Sequence, residues 1–179
     1  SRISVCGKMD TKLSRRKPNR LKFYDYAQNG AYFITICTKN RCKIFWQTPT
    51  EWEACVGASI ARPKLSPRLT PWGKIAEQAI LQIPHVYPGI TLEKYAVMPN
   101  HIHILLLLER EQGGRAMLAP TIPRIIQQYK GAVAKQIGQS VWQKSFHDHV
   151  VRTTHGHDRI WQYIDTNPQT WQNDCFYEE

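Results

Sequence analysis

No apolar run in the 179-residue chain reaches the roughly 18 residues that a membrane-crossing helix needs, so no transmembrane helix is expected. The basic N-terminal stretch is followed by no apolar h-region, so no signal peptide is expected either. The five cysteines (Cys6, Cys37, Cys42, Cys55 and Cys175) are odd in number and form no CxxC pair. That fits unpaired thiols in a reducing cytosol better than a disulfide framework. The paired HxE and PCxxC elements of a zinc base deaminase are missing. The chain is also short for an eight-stranded α/β barrel, which takes about 250 residues. Internal repeats and low-complexity tracts are absent. Acidic residues are scarce, 14 against 24 Lys and Arg, leaving a net charge of +10. A balance that basic points to a polyanionic partner, nucleic acid first. Hydrophobic residues at 42% and charged residues at 21% are ordinary for a globular domain.

The excess charge is concentrated. Residues 1–22 carry eight basic side chains and one acid, Asp10, for +7, so the other 157 residues share +3. This N-terminal arm has no hydrophobic periodicity and reads as a flexible basic tail suited to a phosphate backbone. Residues 23–179 read as a single domain.

Residues 31–38, Ala-Tyr-Phe-Ile-Thr-Ile-Cys-Thr, are β-branched and aromatic and predict a strand. Asn40–Lys43 predicts a turn, and Ile44–Trp46 a short return strand. Residues 47–69 carry three prolines and no period, an irregular excursion. Thr70-Pro71 then reads as an N-cap with proline at the first helical position, opening a helix to about Ile83. Thr91–Met98 and His101–Leu108, joined by the corner Pro99-Asn100, predict an antiparallel hairpin. After a loop over 109–120 come a helix from about Pro123 to Ile137, a strand over Ser145–Arg152 and a helix over His155–Asn167, which Pro168 ends. The order is β-α-β-β-α-β plus a C-terminal helix. It predicts an α+β, ferredoxin-like antiparallel sheet with helices on one face.

Alternate strand residues share a face, so His101 and His103 project together while Ile102 points away. Two imidazoles side by side on a rigid strand suit a shared metal ion. Otherwise one is a core or surface ring and the other caps the corner. The strand around them is apolar, and burying two polar rings there without a purpose is costly. Tyr163 and Asn167 stand at i and i+4 on one helix face. They suit a phenol nucleophile beside a metal-facing amide, or simply a core-edge aromatic and a helix end.

Together these residues resemble a known family. Pro99-Asn-His-Ile-His, followed about sixty residues later by Tyr-Ile-x-x-Asn, resembles the single-tyrosine transposases of the HUH (His-hydrophobic-His) nuclease superfamily, and most closely their REP-associated branch. Gly30-Ala-Tyr-Phe-Ile-Thr, Tyr95-Ala-Val-Met-Pro-Asn-His-Ile-His, Trp142-Gln-Lys-Ser-Phe-His-Asp-His149 and Tyr163-Ile-Asp-Thr-Asn-Pro168 carry the likeness, which runs from about Tyr24 to Tyr177. It implies a ferredoxin-like fold and metal-dependent cleavage and joining of single-stranded DNA at hairpins. The resemblance makes His101 and His103 the metal pair, Tyr163 the nucleophile that forms a 5′-phosphotyrosine, and Asn167 the third metal-facing residue. It implies Mg²⁺ or Mn²⁺ as cofactor, single-stranded DNA hairpins as partners, a monomer or homodimer, and a cytoplasmic, nucleoid-associated place in a bacterium.

Other readings stay open at this stage. Tyr129 competes as nucleophile, although its periodic neighbours Ile122, Ile125, Ile126 and Val133 are apolar. His147, Asp148 and His149, with His155 and His157 nearby, form a second cluster that reads as a metal site, a DNA contact or an outer support of the active site. Arg41, Lys43, Arg62, Lys64, Arg68 and Lys74, interleaved with Trp46, Trp52 and Trp72, read as a DNA surface in which the aromatics stack on bases. The alternative function is a non-catalytic hairpin DNA- or RNA-binding module on the same fold. RNA-recognition domains place stacking aromatics on their central strands, and 101–108 carries histidines and aliphatics instead.

Overall fold

The computed structural model describes residues 24–47, 68–109 and 121–177. The basic arm, most of the proline-containing excursion with Trp52, Arg62 and Lys64, and the 110–120 loop lie outside the described residues.

Four strands form the sheet: β1 (Gly30–Cys37), β2 (Ile90–Val97), β3 (His101–Leu108) and β4 (His147–Val151). Their spatial order is β2-β3-β1-β4 and every neighbouring pair is antiparallel. With helices between β1 and β2 and between β3 and β4, this is the ferredoxin-like arrangement that the element order implied.

Strand alternation divides the sheet into two apolar faces. Tyr32, Ile34, Ile36, Ile102, Ile104 and Leu106 point to one, where they meet α1 (Pro71–Leu81) and α3 (Ile122–Ile137) through Ala76, Ile80, Ile125, Ile126, Tyr129 and Val133. Ala31, Ala96, Met98 and Leu105 point to the other and meet Ile160 and Ile164 of α4 (Thr154–Thr166). The central strand β3 is therefore covered on both sides. That explains why it reads as a nearly continuous apolar run.

Thr70 caps α1 as its sequence suggests. Its hydroxyl accepts from the Gly73 amide at 3.0 Å and donates to the Ile44 carbonyl at 2.6 Å. Gly73 is required there, because a Cβ would lie 2.3 Å from the Phe45 carbonyl oxygen. The expected helix to Ile83 is in fact two pieces, α1 and a short α2 (Ile83–Val86). Pro84 has no amide to donate to the Ile80 carbonyl, so the ladder cannot run through it.

The return strand expected at Ile44–Trp46 does not pair with β1. The Phe45 amide donates instead to the Pro99 carbonyl at 3.2 Å, and Trp46 bridges Leu69 across the neck of the excursion. Both partners are far away in sequence, which local pattern cannot supply. Trp46 and Trp72 pack against the core, and the Trp46 indole donates to the Val97 carbonyl at 2.7 Å.

Candidate active site

The site begins at the β2–β3 corner. The Met98 amide donates to the His101 carbonyl at 2.9 Å, closing the turn. Thr38, just past β1, holds the corner from beside it. Its amide donates to the Asn100 carbonyl at 2.9 Å, and its hydroxyl is shared between the carbonyls of Asn100 and Cys42. His101 and His103 therefore stand on backbone anchored on three sides. Their rings are 0% and 1% exposed, with Nε2 atoms 2.9 Å apart.

Partners fix the ring orientations. The Asn100 side-chain carbonyl oxygen lies 2.8 Å from His101 Nδ1. That oxygen only accepts, so Nδ1 carries the proton and the Nε2 lone pair faces the site. His103 Nδ1 lies 2.9 Å from the Thr35 hydroxyl on β1, its cross-strand partner, and a hydroxyl serves either tautomer. Burial lowers His101 to about 2, with the neighbouring His103 adding to the effect, and burial lowers His103 as well. Both imidazoles are thus neutral, the form that binds metals.

The C-terminal segment supplies a carboxylate. After α4, the chain makes two 3₁₀ turns, Asn167–Gln169 and Trp171–Asn173, which return Asp174 under the histidines. Its Oδ2 lies 3.8 Å from His101 Nε2 and 3.7 Å from His103 Nε2. Burial pushes this carboxyl up. Its interactions with His103, the Phe176 amide, Asn167 and His101 outweigh that and hold it below the usual carboxylate range. One potential ligand atom from each of His101, His103 and Asp174 lies within 4.8 Å of the others, all three residues buried. Two neutral imidazoles and one carboxylate carry a single negative charge in a preformed triangle, so this group can hold a divalent metal ion.

Tyr163 and Asn167 come to the same place from α4, whose Thr153 N-cap and apolar Ile160 and Ile164 seat it on the sheet. The Tyr163 phenol donates to Asp174 Oδ2 at 2.9 Å and lies 3.3 Å from His103 Nε2. Burial, followed by the Asp174 carboxylate, pushes the phenol above its ordinary value. Tyr163 is 36% exposed, so it is open to solvent as well as joined to the buried cluster. The Asn167 amide nitrogen donates to Asp174 Oδ2 at 2.5 Å. Asn167 is 2% exposed.

Sequence reasoning therefore placed His101, His103, Tyr163 and Asn167, and the fold brings all four together. It did not single out Asp174, a lone acid in an aperiodic tail, nor the orienting roles of Asn100 and Thr35. Tyr129 lies on the other side of the sheet, fully enclosed, its hydroxyl donating to the Ala76 carbonyl at 3.2 Å. Burial raises its pKa well above the usual tyrosine value. His147 and His149 project on the site face of β4, opposite Thr35 and Phe33 of β1. His157 instead pairs with Glu93 at 2.8 Å, fastening α4 to β2.

No family model matches the sequence. An uncharacterised protein of Haemophilus influenzae is 28% identical over an alignment covering 95% of this chain and 97% of its own. A solved structure of a REP-associated tyrosine transposase bound to a REP hairpin superimposes with a TM-score of 0.55 at 17% identity, covering 85% of this chain and 74% of that one. The chain therefore shares the fold of that transposase. Among the described residues, no helix is long and apolar enough to cross a membrane.

Proposed function

We propose that this protein is a single-tyrosine transposase of the HUH superfamily, of the REP-associated kind. On this reading it cleaves and rejoins single-stranded DNA at hairpins with the help of Mg²⁺ or Mn²⁺. The observation that carries the reading is the Tyr163 phenol, 3.3 Å from a histidine of a buried His-His-Asp triangle yet reachable from solvent. The transposase fold and the HUH-type sequence pattern support it.

The residues have distinct roles in this proposal. His101 and His103 present neutral nitrogens to the ion, and Asp174 adds the carboxylate. Asn167, the third metal-facing residue expected from the sequence, holds that carboxylate in place through its amide. Bound there, a divalent cation supplies Lewis-acid polarisation of a phosphate oxygen. Tyr163 Oη attacks the phosphorus and its proton passes to water, while Asp174 Oδ2, its hydrogen-bond acceptor, orients the phenol. The bond from phosphorus to the 3′ oxygen breaks, and that oxygen leaves as a 3′-OH with a proton from water. The 5′-phosphate stays on Tyr163, and attack by a second 3′-OH reverses these steps and rejoins a strand. Tyr163 reaches a histidine of its own chain, which supports a site complete in one monomer.

The test is a denaturing gel of protein incubated with Mn²⁺ and a single-stranded oligonucleotide carrying the palindrome nearest the gene. A covalent protein–DNA band present in wild type and Tyr129→Phe, and lost in Tyr163→Phe, is the expected result. No band with the hairpin still tightly bound would replace the enzyme by the non-catalytic hairpin-binding module.

A further inference from the structure

Across the sheet, the residues of the site face lie in lateral rows. One row runs from Ala96 on β2 through His103 on β3 and Thr35 on β1 to His147 on β4. The next runs from Leu105 through Phe33 to His149. Phe33 in turn packs edge-on against Tyr163, with ring centroids 6.1 Å apart. The two β4 histidines thus continue the floor of the site outward to the edge of the sheet, since among the described residues β4 pairs only with β1. Both are exposed, and neither imidazole makes a hydrogen bond to the described residues.

Among the described residues, two other sides of the site are packed. On the β2 side, α4 is fastened down by His157 on Glu93 and by Lys94, which meets Asp165 at 2.5 Å and lies 3.8 Å over the Trp161 ring. At the His101 end, Phe176 and Trp171 pack over that ring with centroids at 4.8 and 5.7 Å, and Phe176 also touches His147 at 6.1 Å, which leaves His149 as the more open of the two. Charge favours the β4 edge as well. Lys144 and Arg152 flank the strand and are exposed. The one acid of the strand, Asp148, pairs with Ile34 and so faces the helices.

Resting on the function proposed above, we propose that the β4 edge is the track by which single-stranded DNA flanking the cleaved phosphate reaches Tyr163. His147 and His149 are its contacts, through phosphate oxygens and stacked bases. Imidazoles two residues apart on a strand are spaced along one face at roughly 7 Å, comparable to the phosphate spacing of an extended strand. Each offers both an N–H donor and a ring surface for a base.

The experiment measures binding, not cleavage. Fluorescence anisotropy compares a hairpin oligonucleotide carrying the palindrome nearest the gene with the same hairpin bearing a short single-stranded extension. Wild type is expected to gain about tenfold in affinity from the extension, the scale of one stacked base. His147→Gln/His149→Gln should lose that gain and still bind the bare hairpin as wild type does. His147→Lys/His149→Lys, which supplies N–H donors and charge for phosphate, should keep at least part of the gain. An extension-dependent gain retained by the glutamine variant, or lost equally in both variants, overturns the track. Failure of wild type to bind either oligonucleotide overturns the hairpin reading and the track together.

Discussion

The Tyr163 phenol donates a 2.9 Å hydrogen bond to Asp174 Oδ2, linking the exposed face of a helix to a carboxylate buried beneath two histidines. The same oxygen accepts from Asn167 at 2.5 Å and lies within 3.8 Å of both Nε2 atoms. One carboxylate oxygen thus meets the proposed nucleophile, its helical neighbour and the proposed metal pair.

Asp174→Asn should therefore remove the site's only carboxylate among the described ligand candidates and weaken Mn²⁺ binding more than Asn167→Ala does. Isothermal titration with Mn²⁺ would check the order. Equal losses would make Asn167 a direct ligand of the same standing.

Thr35→Val keeps the shape of the side chain and removes the hydroxyl that holds His103 Nδ1. Loss of such an outer partner costs about 10- to 100-fold in metal affinity. The same titration reads it, and an unchanged affinity would show that packing alone orients the ring.

Tyr129→Phe should lower stability by about 1 kcal/mol, the net worth of one buried hydrogen bond, because the hydroxyl's partner is the Ala76 carbonyl. Urea denaturation measures this. The covalent adduct should be unaffected, since Tyr129 lies on the helical side of the sheet.

Gly73→Ala brings a methyl group into the Phe45 carbonyl, a backbone atom that cannot turn aside. A loss of about 1–3 kcal/mol is expected, as for other overpacked positions. A thermal melt matching wild type would mean that the segment at Phe45 yields freely.

The His157–Glu93 pair makes the docking of α4 depend on pH. Its hydrogen bond to Glu93 raises the His157 pKa, opposed by a smaller effect of burial. A raised folded-state value means the pair contributes fully below the unfolded pKa of about 6.5. The contribution is then lost as pH rises through the folded value. Melting temperature should fall across that window in wild type and stay flatter in Glu93→Gln.

Period and punctuation in the sequence determined much of this protein. Alternation on β3 put His101 and His103 on one face, helical spacing put Tyr163 above Asn167, and Thr70-Pro71 marked the start of α1. These are relations among residues a few positions apart, set by the geometry of strand and helix. Only the tertiary structure decided the rest. Asp174 sits in a tail of 3₁₀ turns with no period to read, and it enters the site because the tail is tied to distant residues. The Asn100 amide donates to the Phe176 carbonyl at 3.0 Å, and the Phe176 ring packs on His101. Thr35 meets His103 only through the pairing of β1 with β3. A local pattern carries the direction in which a side chain points, but not which distant segment will meet it; that is settled when the two faces of the sheet are buried.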